Sequence, residues 1–246
     1  MNVNFIIIAG MMVLSIVSGM LGLGVAFAAI PYLGLFLPDL VHQVQPLSLL
    51  LNGVTALFAM FGFAKSGNIV WEKALILAII TTVAAPIGSL LAQFINQTAI
   101  WFVYFAAVVY LAYRLFRPIQ EKPIGSENFR LALALAFPIA VLSGFLGVGP
   151  GFILMPTLMI AGFNAKKAAG INAFAVTPPS FSALQPHFAT ARFDPFLTTA
   201  LLVVGAAGSF FGARVTSLYM PGTRIKQLFG ILIIIVTLYK IYTILG

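Results

Sequence analysis

Two short runs in this chain set glycines where a particular kind of chemistry becomes available. Ser18-Gly19-Met20-Leu21-Gly22-Leu23-Gly24 stands in the first half, and Ser143-Gly144-Phe145-Leu146-Gly147-Val148-Gly149 in the second. A proline, Pro31 or Pro156, follows each last glycine by seven residues. Both runs interrupt long apolar stretches, so each reads as a turn between two short helices. Such a turn leaves free N–H groups at the start of the second helix, and the helix dipole adds partial positive charge there. That combination suits an anion and needs no charged side chain. The candidate binding groups are Gly22, Gly24 and Val25 in the first turn, and Gly147, Gly149 and Gly151 in the second. A second reading stays open, because small residues also let helices pack closely.

Polar side chains within apolar segments are costly in lipid and are the next candidates. Ser48 and Asn52 follow the first turn; Asn172, Thr177 and Gln185 follow the second. Ser48 aligns with Asn172, and either can donate to an oxyanion or simply cap a helix start. Thr177-Pro178-Pro179 is expected to disturb its helix, because neither proline can join the backbone ladder. The freed carbonyls there either face water or substrate, or mark a plain kink. His187 is the one histidine inside an expected span. It is a candidate to carry a coupling proton, or a satisfied structural group. No Asp or Glu falls inside an expected span, so no carboxylate proton relay is available and the coupling mechanism stays open. The chain has no cysteine, and its only histidines are His42 and His187. Neither a metal site, nor a cofactor, nor an enzyme's nucleophile and base is therefore expected. A phosphate-binding Gly-x-x-x-x-Gly-Lys-Ser/Thr motif does not occur either.

The elements that must position these residues follow from composition. The 246 residues are 61% hydrophobic and only 7% charged, against about 25% charged in soluble domains. Lipid must be the solvent, so the expected fold is an all-α integral membrane protein. Lys and Arg number 13 against 5 Asp and Glu. In so apolar a chain, basic residues hold cytoplasmic loops at the membrane, and no nucleic-acid partner is expected. The expected partners are the bilayer and a small anion, and a homodimer is left open. The N-terminus lacks the basic region of a signal peptide and reads as a mature membrane segment.

Candidate spans are Val44–Ala64, Ala74–Ile95, Ala99–Tyr113, Ala168–Ala191, Pro195–Ala213 and Leu228–Gly246. Val3–Pro38 and Leu131–Phe163 are uncharged and too long for one span, and each is broken by its glycines. Two repeats emerge, 1–113 and 131–246, joined by a polar linker over 114–130. Further matches are Gly88-Ser89-Leu90-Leu91 with Gly208-Ser209-Phe210-Phe211, and Ala112-Tyr113-Arg114 with Leu238-Tyr239-Lys240. The offset runs from 120 (Gly88 to Gly208) to 126 (Ala112 to Leu238). Internal duplication is a common mark of secondary transporters.

Loop charge distinguishes parallel from inverted repeats. If each broken run crosses once, eight basic residues fall on one side and five on the other. If each enters and returns as a hairpin, eleven share one side, and only Arg192 and Lys240 oppose them. The second split is a strong positive-inside signal. The expectation is two inverted repeats, each a glycine-broken helical hairpin plus three transmembrane helices. Both termini then lie outside, the 114–130 linker is cytoplasmic, and Arg214, Lys166 and Lys167 share the cytoplasmic face. Inverted symmetry would bring the two turns together near the midplane.

A helix ending in Ser-Gly-x-x-Gly-x-Gly, then a short apolar helix with a proline, repeated across a basic linker, resembles the TauE/SafE family of sulfite and organosulfonate permeases. Gly208-Ser209-Phe210-Phe211-Gly212-Ala213-Arg214 matches a further pattern of that family. The resemblance covers nearly the whole chain. It implies a permease of the cell inner membrane for sulfite, an organosulfonate or a related anion; an anion channel or a facilitator for other oxyanions or carboxylates is the alternative. The family's turn usually reads Gly-x-Gly-Gly-Gly. Here Val25 and Ala26 follow Gly24, and Pro150 follows Gly149. Proline supplies no N–H, which weakens the cradle or gives the two halves unequal roles.

Overall fold

The computed structural model describes residues 3–64, 67–116, 127–219, 231 and 235, with side chains left out at 108 and 111–116. Nine α-helices occur among them: α1 (Val3–Leu21), α2 (Ala26–Leu33), α3 (Gln45–Ala64), α4 (Trp71–Ala92), α5 (Gln97–Phe116), α6 (Phe129–Leu146), α7 (Gly151–Ile160), α8 (Ala165–Leu184) and α9 (Pro195–Tyr219). A π-turn at Leu40–Val44 leads into α3, and a 3-10 turn at Gln185–His187 follows α8. No strand occurs among the described residues. Five helices are long and apolar enough to span a bilayer, and α5 and α7 contribute shorter apolar stretches. The protein is all-helical, as lipid demands of backbone groups that water cannot satisfy.

The repeated Ser-Gly-x-x-Gly motif is a helix stop. Leu23 N–H reaches Ser18 O at 3.1 Å and Gly22 N–H reaches Gly19 O at 3.1 Å. Val148 and Gly147 make the same bonds to Ser143 O (3.0 Å) and Gly144 O (3.1 Å). This is the Schellman pattern, which needs a left-handed residue after the helix. Gly22 and Gly147 supply it with φ of 63° and 71°. Gly24 and Gly149, at 71° and 68°, turn the chain a second time to start α2 and α7.

Each broken run folds back on itself. Tyr32 at the end of α2 donates its hydroxyl to Ile6 O near the start of α1 (2.6 Å). Asn128, just before α6, donates its N–H to Ala161 O just after α7 (2.7 Å). The two hairpins open toward opposite ends of α4. Lys73, in the first turn of α4, pairs with Glu127 beside the start of α6. Gln93, which caps the other end of α4, shares a cavity with Pro38 and Asp39 beyond α2.

The halves exchange helices. α1 lies along α9 and α6 lies along α4, while α3 and α8 form the central pair and also pack on α9 and α4 respectively. Glycines set these seams. A Cβ at Gly19 would strike the Ser209 backbone, one at Gly212 the Ile16 carbonyl, one at Gly88 the Val141 carbonyl and one at Gly144 the Ala85 carbonyl. The two seams therefore use matching positions of the two repeats, with Gly88 corresponding to Gly212 and not to Gly208 as the sequence pairing had it.

The expected elements stand with shifted ends. The span placed at Ala99–Tyr113 is the helix Gln97–Phe116, and Pro195–Ala213 extends to Tyr219. Helix α8 starts earlier and stops at Leu184, so His187 lies beyond it. Pro178 and Pro179 do not break α8. The carbonyl that Pro179 leaves without its helical donor is that of Ala175, and the Thr81 hydroxyl on α4 lies 3.3 Å from it, sharing its one hydrogen with Leu77 O at 2.8 Å on its own helix. All but Ile231 and Ile235 of the expected span Leu228–Gly246, and most of the 114–130 linker, fall outside the described residues.

Candidate functional site

The two glycine turns meet between α3 and α8, and Asn52 is the residue that joins them. From the middle of α3, its Oδ1 accepts Ala26 N–H at the start of α2 (2.9 Å). Its Nδ2 donates to Ser180 Oγ on α8 (2.8 Å). The same amide lies against both Gly24 and Gly149, leaving no room for a Cβ at either. Asn172 on α8 donates Nδ2 to Gly22 O at 2.7 Å and presses on Gly151. A Cβ at Gly151 would come within 2.5 Å of Leu23 O in the opposite turn. Phe27 and Phe152, equivalent residues of α2 and α7, stack with ring centroids 4.9 Å apart. The pair marks where the two half-helices face each other.

The halves differ in how their N–H groups are used. In the first turn Val25 N–H donates to Thr55 Oγ1 (3.1 Å) and Ala26 N–H to Asn52. At the offset of 124 that aligns Ser48 with Asn172, Thr55 aligns with Pro179 and Asn52 with Val176. Val25 itself aligns with Pro150. The second half has thus lost both the donor at 150 and the acceptor at 179. It keeps the Gly151 N–H, the counterpart of that of Ala26, and neither Val176 nor any other described residue accepts from it; the Phe152 N–H, like its counterpart at Phe27, has no acceptor among the described residues. The cradle at the start of α7 is the open one.

Buried polar atoms without partners gather in the neighbouring helices. They include Asn172 Oδ1, Ser48 Oγ and Gln45 Oε1. Gln45 packs on Gly147 and donates Nε2 to Phe145 O (3.1 Å). Of the residues expected at the site, Gly22, Gly24, Val25, Asn52, Gly147, Gly149, Gly151 and Asn172 come together around the turns. Ser48 lies buried on α3. Thr177 bonds its own helix at Ala173 O (3.0 Å). Gln185 is exposed at the end of α8, away from the turns. His187 is buried beside Gln93 Nε2 (2.8 Å) and Val41 O (3.1 Å). Phe27 and Phe152 were not among the expected site residues, and Thr55 and Ser180 stood out in the sequence only as polar residues within a span. The pairing of Val25 with Thr55, and of Pro150 with Pro179, is the signal in the sequence that reaches Thr55.

Each end of the molecule carries its own polar cluster. Toward the C-terminal end of α4, a cavity of about 600 Å³ is lined by Asp39, His42, Gln43, Gln93, Gln97 and Arg192 among others. Burial alone would raise the Asp39 carboxyl, but hydrogen bonds from His42 and the charges of His42 and Arg192 hold it below its ordinary value. Toward the N-terminal end, Glu127 bridges Lys73 and Lys167. Burial there is likewise outweighed by the two lysines, which hold the Glu127 carboxyl low. Lys73 also sits 4.6 Å over the Phe163 ring.

Residues 6–240 match the family model described as sulfite exporter TauE/SafE. Similar proteins include a probable membrane transporter protein of Xylella fastidiosa (strain 9a5c), 22% identical over 91% of this chain and 89% of its own length. Another, from Haemophilus influenzae, is 25% identical over 90% of this chain and 91% of its own length. The probable membrane transporter protein YunE of Bacillus subtilis is 23% identical over 92% and 93%. No solved structure matches the chain at a significant level.

Proposed function

Because this chain belongs to the TauE/SafE family of membrane transporters, we propose that it is a secondary permease for a small sulfur-containing anion, sulfite or an organosulfonate. The anion binds between the two glycine turns, against the N-terminus of α7. The observation that carries this reading is the unequal use of N–H groups. The first turn's Val25 and Ala26 N–H groups are taken by Thr55 and Asn52, while that of Gly151, the buried counterpart of Ala26, has no acceptor among the described residues. Backbone donors at a helix start are a ready anion site, and broken half-helices meeting between repeats are where secondary transporters bind cargo.

The repeats are inverted in this reading, and both termini lie outside the cytoplasm of an inner membrane. Two features support it: the hairpins open toward opposite ends of α4, and Lys73 and Lys167 share Glu127. The parallel arrangement would put those lysines on opposite sides. Transport proceeds by one hairpin parting from the other around a fixed site.

Counterflow in proteoliposomes tests the function. Vesicles preloaded with unlabelled sulfite should accumulate labelled sulfite transiently, and the flux should saturate. Flux that never saturates, with no counterflow, overturns the carrier reading in favour of a channel. Absence of any sulfite or sulfonate flux overturns the substrate class.

A further inference from the structure

We propose that Tyr104 is a positioning residue for transport: its hydroxyl holds the first turn of α2 in the register that sets Phe27 against Phe152. The inference rests on the anion site proposed above and names a residue, on a helix outside both hairpins, that keeps that site assembled.

Pro31 creates the need. A helix carbonyl is served by the N–H four residues on, so the donor for Phe27 O would come from residue 31, where proline has none. Phe27 is buried, and a buried backbone group in lipid has no water to fall back on. Tyr104 takes the missing place. From α5 its hydroxyl donates to Phe27 O at 2.7 Å, and the whole residue is buried there.

The same two residues also meet through their rings. Tyr104 stacks on Phe27 with centroids 6.1 Å apart, and Phe27 continues the stack onto Phe152 at 4.9 Å. Trp101, one turn earlier on α5, meets Tyr104 edge-on at 5.7 Å. It also reaches Gly34 just beyond α2, where a Cβ would lie 3.3 Å from its ring. Helix α5 therefore grips the half-helix at both ends.

Two bonds from two helices fix the first turn of α2. Asn52 on α3 takes Ala26 N–H, and Tyr104 on α5 serves Phe27 O. With one of them gone, the other is a pivot. Removing the hydroxyl leaves a buried carbonyl unpaired, and α2 relieves that cost by swinging out of the stack. Fewer molecules then hold the two turns in register, and apparent affinity for the anion falls by the same factor.

Uptake of labelled sulfite into proteoliposomes, measured per folded protein over a range of concentrations, tests this. Tyr104→Phe keeps the ring and loses only the hydroxyl. Its KM should rise about tenfold while the maximal rate changes by less than about twofold. Adding Pro31→Ala returns an N–H to Phe27 O and should bring the KM of Tyr104→Phe back to within about twofold of the unaltered value. A tyrosine of structural value alone would lower the amount of folded protein and leave KM where it was. An unchanged KM in Tyr104→Phe, or a raised KM that Pro31→Ala does not restore, overturns the role of Tyr104 and leaves the anion site standing. Absence of saturable sulfite uptake by the unaltered protein overturns the site, and this inference with it. Phe27→Leu decides the matter where Tyr104→Phe does not fold. It keeps the carbonyl and removes the ring, so its KM should rise likewise, and an unchanged KM shows that the stack positions nothing and overturns the proposal.

Discussion

Replacing Asn52 with alanine would strip the only described acceptor from Ala26 N–H and remove one of the contacts between the two turns. An unpaired buried donor costs about 1–3 kcal/mol, so Asn52→Ala should lose about 2 kcal/mol of stability. Gly149→Ala adds a Cβ to a residue at φ 68°, a strain of about 1–2 kcal/mol for an L-residue, and drives that Cβ into the Asn52 amide. It should therefore destabilise by more than the strain alone. Thermal unfolding in detergent measures both, and a Gly149→Ala variant as stable as the parent would refute the tight junction at Asn52. At this scale the sequence was partly legible. Glycines with no alternative at positive φ announce themselves by motif and spacing. Asn52 could be named as a polar residue in lipid, but not as the bridge, because its partner Ser180 lies 128 residues away. Gln185 and Thr177 carry the same polar signature, yet a side chain's direction depends on helix phase and neighbours that residue type does not encode.

Helix α8 shows how an element escapes its local propensity. Two adjacent prolines predict a disturbed helix, and yet α8 runs unbroken from Ala165 to Leu184. Its packing on α4 offers Thr81 to Ala175 O, and in return Ser182 of α8 donates to Thr82 O at 2.8 Å, the carbonyl that Pro86 leaves without its helical donor in α4. Neighbouring helices and Ser/Thr side chains are the usual compensation in membranes. Thr81→Val should cost about 1 kcal/mol in the native background. In a Pro179→Ala background the backbone N–H returns to serve Ala175 O, and the same substitution should cost measurably less. A double-mutant cycle with no coupling between the two positions would show that Thr81 does not compensate for the proline. The hairpins, by contrast, were legible. Their Schellman stops are local, and the uncharged lengths of Val3–Pro38 and Leu131–Phe163 leave room for one return each.

Across the whole molecule the charges sort by end, with Lys73, Glu127 and Lys167 at one end of α4 and Arg192 with His42 at the other. The proposed orientation places the first group in the cytoplasm. The chain has no native cysteine, so single cysteines report topology without background. Asn96→Cys, in the exposed link between α4 and α5, should react with an impermeant maleimide in intact cells. Glu72→Cys, exposed at the other end of α4, should react only after permeabilisation. The reverse pattern would overturn the orientation. Loop charge made the two ends readable from sequence, because it sums over many residues. The exchange of helices between halves was not readable, since α1 carries no local sign that its neighbour is α9.

That exchange has a consequence for how the protein is made. The glycine seam of α1 is completed only by α9, whose first residue, Pro195, lies far downstream of the last residue of α1, Leu21. At roughly 5–20 residues per second of synthesis, the first hairpin waits on the order of ten seconds in the bilayer with that seam uncovered. The nascent first half is then an orphan in the membrane, open to quality-control proteases or to a second nascent chain until its own late helix arrives.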